Sequence, residues 1–91
     1  MQNDIIDPEF DVVAFLQILI RGIVDRSDEV TIIPAREGPR TTVLQVKVHP
    51  DDLGKIIGQR GSVAQCIRTI VSSMGRKYDY RFQVDIVKTD A

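Results

Sequence analysis

Gly54-Lys55-Ile56-Ile57-Gly58-Gln59-Arg60-Gly61 packs three glycines, two adjacent isoleucines and two cations into one short stretch. Gly58 and Gly61 have no Cβ, so each admits positive φ and lets another backbone come close. With Gln59 and Arg60 between them, they predict a tight, exposed loop. Apolar patterning predicts a short helix before this loop and a long one after it. The loop therefore opens onto the first turn of a helix, where free N–H groups attract anions. Arg60 adds a permanent charge and a planar donor fork at the tip. Together these features read as a cradle for a phosphate backbone.

The spacing separates this loop from other phosphate loops. A P-loop needs G-x-x-x-x-G-K-[ST], and no Lys-Ser or Lys-Thr pair follows a glycine here. A dinucleotide fingerprint needs G-x-G-x-x-G directly after a strand, whereas the preceding element here reads as helix. Ile57-Gly58-Gln59-Arg60-Gly61 is instead similar to the I-G-x-x-G of KH domains, whose loop clamps a few backbone nucleotides of single-stranded RNA. A bare G-x-x-G recurs in unrelated chains, so its weight depends on what flanks it.

Upstream, residues 1–9 read as an acidic, flexible lead-in, and residues 10–88 as a single domain. Asp7-Pro8-Glu9 has the chemistry of a helix start. The helix is expected from about Pro8 to Asp25. Val12, Leu16, Leu19 and Ile23 line one face, with Val13, Ile20 and Val24 beside them. Ile18 falls among the polar residues and Phe15 at the edge. They are either stray exposed apolar groups or a small partner surface beside Ala14 and Gly22.

Val30–Ala35 and Thr41–Val48 read as two strands, the second alternating with period 2. Glu37-Gly38-Pro39-Arg40 supplies the turn between them, which places Arg36 and Arg40 at a hairpin tip. His49-Pro50-Asp51-Asp52 opens the short helix. The long helix is expected over Ser62–Lys77. Ser62 and Gln65 fit a capping box, and Val63, Cys66, Ile67, Ile70, Val71 and Met74 form the buried stripe. Asp79–Val87 reads as the last strand.

The order is α-β-β-α-α-β. A short turn makes the first two strands antiparallel. The two-helix crossover makes the third parallel to the second. The expected fold is α+β: a three-stranded mixed sheet, second strand central, with the helices packed on one face.

Ninety-one residues suit one domain with a modest core. A single cysteine leaves no intrachain disulfide and no cysteine-based metal site, which suits a reducing cytosol. No basic region followed by an apolar run opens the chain, so no signal peptide is expected. Net charge is −1, against the basic footprint usual for nucleic-acid binders. The charge is unevenly distributed. Residues 1–30 hold seven acids and two bases, a balance of −5; residues 31–91 hold ten bases and six acids, a balance of +4. The part carrying the glycine loop is the basic one.

Over nearly its whole length the chain resembles a type II KH domain. A free-standing domain of this size with Pro50-Asp51-Asp52-Leu53-Gly54-Lys55-Ile56-Ile57-Gly58 before the loop and Ile67-Arg68-Thr69-Ile70-Val71 after it resembles the bacterial KhpA family. The resemblance implies a cytoplasmic, non-enzymatic single-stranded RNA-binding protein acting as an RNA chaperone or post-transcriptional regulator. It also implies a homodimer, or a heteromer with a KhpB-type protein that carries a KH domain and a second nucleic-acid-binding domain. The family is linked to cell envelope homeostasis and cell shape. Two departures stand out. Many relatives carry a lysine within or beside the loop centre, where this chain has Gln59-Arg60, and the lead-in here is longer and acidic. Both imply binding that salt abolishes early.

The expected RNA-binding residues are Gly54, Lys55, Ile57, Gly58, Gln59, Arg60, Gly61, Arg68 and Arg40. Gly58 and Gly61 admit the backbone, and Gln59 and Arg60 reach phosphate oxygens. Lys55 adds charge along the groove or is a solvated lysine. Ile57, with Gly54, Ile56 or Val63, floors the groove, with ordinary core the stronger reading for Ile56. Arg36 and Arg40 close the far side or sit in a solvated turn. Arg68 reaches RNA or pairs with an acid. His49, the only histidine, reads as a cap or surface residue, Cys66 as core, and Asp51 and Asp52 as helix-start acids rather than metal ligands. No catalytic constellation, metal site or cofactor site is expected. The competing reading is a protein–protein adaptor on a KH fold with little RNA binding, and single-stranded DNA is a further candidate ligand.

Overall fold

A computed structural model describes residues 7–89. Helix α1 (Pro8–Arg21) starts where its sequence directs: Asp7 Oδ1 accepts the Phe10 N–H at 3.3 Å, and Pro8 occupies the first turn. Val12, Leu16 and Ile20 recur every four residues and are fully buried. The helix stops at Arg21, short of the expected Asp25. Gly22 takes the C-cap, its N–H shared between the carbonyls of Ile18 and Leu19. Val24, just outside the helix, still packs into the core. Asp7 caps α1, Pro8 and Glu9 belong to it, and the rest of the acidic lead-in, residues 1–6, lies outside the described residues.

Strand β1 (Thr31–Gly38) pairs antiparallel with β2 (Thr41–Val48), with an irregularity between Arg36 and Gly38. β1 is an exposed edge, and Pro34 at its middle is tolerated there because an edge strand needs ladder bonds on one side only. β2 buries Thr42, Leu44, Val46 and Val48 in strict alternation. β3 (Arg81–Lys88) pairs parallel with β2, so the order is β1-β2-β3 with β2 central, as the connections predict. Between β2 and β3 lie a 3₁₀ turn (Pro50–Asp52), helix α2 (Leu53–Ile57) and helix α3 (Ser62–Lys77). The core joins Leu16 and Ile20 of α1, Leu44 and Val46 of β2, Ile56 of α2, Ile67 and Val71 of α3, and Phe82 of β3.

Helix α3 differs from its expected stripe. The residues facing the core are Ala64, Ile67, Val71 and Gly75. Cys66 is exposed, not core, and Ile70 is 44% exposed. The reason is proximity. At Gly75 a Cβ would lie 2.6 Å from the Tyr80 carbonyl oxygen and 3.0 Å from the Phe82 ring. The helix approaches β3 closely there, so the column of Ala64, Ile67, Val71 and Gly75 is buried and Cys66 and Ile70 turn outward, while Val63 and Met74 still pack partly against the core. The expected Ser62–Gln65 capping box is also absent. Ser62 is already helical, and the N-cap is Gly61 in a left-handed conformation, with no side-chain cap.

Candidate nucleic-acid interface

The glycine loop rests on a buried latch. His49 Nδ1 accepts the Asp51 N–H at 3.0 Å, capping the 3₁₀ turn. Asp52, only 1% exposed, accepts the backbone N–H of Arg26 at 3.0 Å and of Asp25 at 3.3 Å. Lys55 Nζ sits 2.7 Å from an Asp25 carboxylate oxygen and 3.4 Å from Asp52 Oδ1. The Arg26 N–H, more than any other group, holds the Asp52 carboxyl below its usual range. Burial opposes it, and the Asp25 N–H and Lys55 add to it. The Lys55 ammonium is pushed up, first by its hydrogen bond to Asp25 and then by that to Asp52. The connection leaving α1 is thus tied to the root of α2. Local patterning marks Asp52 as an ordinary helix-start acid; its burial is set by a partner loop 26 residues away, which no local pattern signals.

Helix α2 is a single short turn that buries Ile56 completely and leaves Gly54, Lys55 and Ile57 outward. Gly58 ends it at φ 74°, ψ 177°, its N–H bonded to the Gly54 carbonyl at 2.8 Å. This region of backbone space is essentially reserved for glycine. A Cβ at Gly58 would lie 2.5 Å from Val63 Cγ2 and 2.8 Å from the Val63 nitrogen. The loop therefore folds directly onto the first turn of α3. Arg60 (φ 56°) and Gly61 (φ 75°) follow in left-handed conformations, and the Gly61 N–H closes the turn on the Gly58 carbonyl at 3.2 Å. A left-handed residue leading into a right-handed helix turns successive N–H groups toward one concavity, an anion-binding nest. Gln59, Arg60 and Ser62 line a shallow open hollow there. Among the described residues, Arg60 pairs with no carboxylate.

The loop residues Gly58, Gln59, Arg60 and Gly61 are thus brought together with the uncapped start of α3, and Ile57 lies 38% exposed beside them. The other expected residues are dispersed. Lys55 is engaged by two carboxylates. Arg68 donates from Nε to the Val84 carbonyl at 3.2 Å, on the edge of β3. Arg40 lies over the Tyr80 ring at 5.5 Å and faces the carbonyls of Tyr78 and Asp79. Arg36 bonds Glu9 of α1. A methyl group added at Gly54 would meet nothing within 4 Å, and the backbone there has no unusual angle, so the fold itself does not require glycine at this position. Among the described residues no three His, Cys, Asp or Glu side chains converge as metal ligands, and no helix is long and apolar enough to cross a membrane.

A family model described as the KH domain of KhpA/KhpB matches residues 13–86. The chain is 44% identical over 75 residues to the RNA-binding protein KhpA of Streptomyces coelicolor, covering 82% of this chain and 90% of that one. It is 46% identical over 81 residues to the RNA-binding protein KhpA of Mycobacterium bovis, covering 87% and 94%. The RNA-binding protein KhpA of Borreliella burgdorferi is 35% identical over 75 residues, covering 82% and 90%.

Proposed function

Because the chain belongs to the KhpA/KhpB KH-domain family, we propose that it binds single-stranded RNA without catalysis, holding the phosphate backbone at Gly58–Gly61. The observation that carries this reading is the uncapped start of α3 behind two consecutive left-handed residues. That arrangement sets a helix start without a side-chain cap beside the Arg60 guanidinium at one hollow, which suits phosphate oxygens. Ile57 and the bare surface over Gly54 give the adjoining bases an apolar rest.

One KH module grips about four nucleotides, so its affinity alone is low. A second copy, or a KhpB-type partner with its own RNA-binding surfaces, raises affinity through effective concentration. In this reading the protein works in the cytoplasm as an RNA chaperone or post-transcriptional regulator, tied to envelope homeostasis and cell shape as its family is. The outward column of α3 favours a protein contact as well. Cys66 and Ile70 lie one turn apart and exposed, and Ile57 is partly exposed at the end of α2. An adaptor with this surface and no RNA grip is the second reading.

Fluorescence anisotropy with single-stranded RNA separates them. Gln59→Asp/Arg60→Asp is expected to abolish binding while circular dichroism stays unchanged. Equal binding by both proteins would remove the loop from the site. No RNA binding by either, with a protein partner retained, would favour the adaptor.

A further inference from the structure

The Asp25 carboxylate stands apart from the rest of the latch. Asp52, across Lys55 from it, is buried and holds the fold by accepting the backbone N–H groups of Arg26 and Asp25. The Asp25 side chain is 79% exposed, and among the described residues its carboxylate meets one group, the Lys55 ammonium at 2.7 Å. Exposed pairs of this kind add little to stability, so folding gives a weak reason for the contact. The carboxylate is nonetheless held in place, because the Asp25 N–H is tied to Asp52 at 3.3 Å. Lys55 therefore faces two carboxylates, Asp25 and, at 3.4 Å, Asp52. Two negative charges against one positive leave a local balance of −1.

This cluster borders the loop. Lys55 precedes Gly58 by three residues, about 4.5 Å along the helix axis at about 1.5 Å per residue. That is inside the screening distance of about 10 Å at 0.1 M salt, so the charge around Lys55 is felt at the loop. An ammonium on a flexible four-carbon stem also reaches across such a gap.

We infer that Asp25 sets the RNA affinity of this chain by occupying the Lys55 ammonium, so that one phosphate contact beside the glycine loop is withheld. The inference rests on the RNA-binding reading of that loop. A carboxylate oxygen 2.7 Å from Nζ takes the place that a phosphate oxygen would take. A phosphate arriving there meets the negative balance of the cluster, which opposes the exchange. With Asp25 neutral, the balance becomes zero. Asp52 needs the ammonium least, since two backbone N–H groups already serve its oxygens, and Lys55 then becomes available to the strand. The neighbouring Arg26 offers no substitute, because its guanidinium pairs with Asp51 at 3.2 Å.

The test follows a random-sequence single-stranded dodecanucleotide RNA by fluorescence anisotropy across a range of salt. It compares wild type, Asp25→Asn, Asp25→Ser, Lys55→Gln and Asp25→Asn/Lys55→Gln, with thermal unfolding by circular dichroism as the fold control. Asp25→Ser removes the charge and also the side-chain carbonyl that Asp25→Asn keeps. Each phosphate contact contributes about 0.7 to the log–log salt slope for a single strand, worth about eightfold at roughly 50 mM salt relative to 1 M. Both Asp25 variants are therefore expected to bind about eightfold more tightly than wild type at about 50 mM salt, with the slope steeper by about 0.7. Adding Lys55→Gln to Asp25→Asn is expected to return affinity and slope to those of Lys55→Gln alone, which match wild type. Unchanged affinity and slope in both Asp25 variants would overturn the inference, while loss of binding in Gln59→Asp/Arg60→Asp would leave the loop reading intact. Tighter binding that survives Lys55→Gln would also overturn it, assigning the effect to repulsion between Asp25 and RNA. Failure of wild type to bind, or binding undiminished in Gln59→Asp/Arg60→Asp, would remove both readings.

Discussion

Gly58 and Gly61 look equivalent in the G-x-x-G pattern, yet their surroundings predict different responses to alanine. At Gly58 two costs add. The backbone sits at φ 74°, ψ 177°, a region that costs a residue with a Cβ about 1–3 kcal/mol. The new methyl would also stand 2.5–2.9 Å from three atoms of Val63, one of them backbone nitrogen. Overpacking of that kind costs about 1–3 kcal/mol, for a total of about 2–6 kcal/mol. At Gly61 the backbone is left-handed helical and the space is open, so only the conformational cost of about 1–2 kcal/mol applies. Against a domain stability on the order of 5–15 kcal/mol, Gly58→Ala consumes a large fraction. Thermal and urea unfolding followed by circular dichroism reads the difference. At about 4–8 °C per kcal/mol, Gly58→Ala is expected to lower Tm by at least about 8 °C and to melt clearly below Gly61→Ala. Gly61→Asn should recover most of the Gly61→Ala loss, because asparagine tolerates the left-handed region; Gly58→Asn should recover nothing. If Gly58→Ala melts no lower than Gly61→Ala, the packing of the loop on Val63 is wrong.

Gly54→Ala should do the opposite to stability. It replaces an unconstrained helical glycine, so Tm is expected to rise by the equivalent of about 0.5–1 kcal/mol, while RNA affinity falls if a base rests on that surface; a lower Tm would show a constraint absent from this fold. Asp52 gives the domain a pH dependence of known sign. Its folded-state carboxyl lies below the ordinary value of 3.8, so its contribution is present above that value and is lost as pH falls through the lower, folded one. Urea unfolding from about pH 6 downward should therefore show a steeper acid decline for wild type than for Asp52→Asn, and parallel curves would deny the latch. Lys55→Gln is expected to lower stability yet leave the salt slope of RNA binding unchanged, because its ammonium already serves Asp25 and Asp52; a slope reduced by about 0.7 would return Lys55 to the groove.

The fold was legible in the sequence because its signals are local and redundant. The alternation Thr42, Leu44, Val46, Val48 marks a strand with one buried face, and the short turn and the long crossover then dictate antiparallel and parallel pairing. The positive φ at Gly58 and Gly61 was likewise readable from residue type. What escaped depends on distance between elements. A helical wheel places Cys66 and Ile70 beside Ile67, but the close approach enforced at Gly75 decides which column is buried. Asp52 and Lys55 each have an ordinary local explanation, at a helix start and on a helix surface. Only the return of residues 25–26 over α2 joins them into one network around the buried Asp52.

Phosphate held by the loop and helix-start amides would leave its mark on those amides themselves, so a ¹⁵N-resolved NMR titration with a short single-stranded RNA is decisive. The largest shifts are expected on the amides of Gly58 through Val63. They should grow smoothly with added RNA and vanish in Gln59→Asp/Arg60→Asp. Shifts confined to the uncovered face of the sheet, or to α1, with the Gly58–Val63 amides silent, would contradict a phosphate grip at this loop.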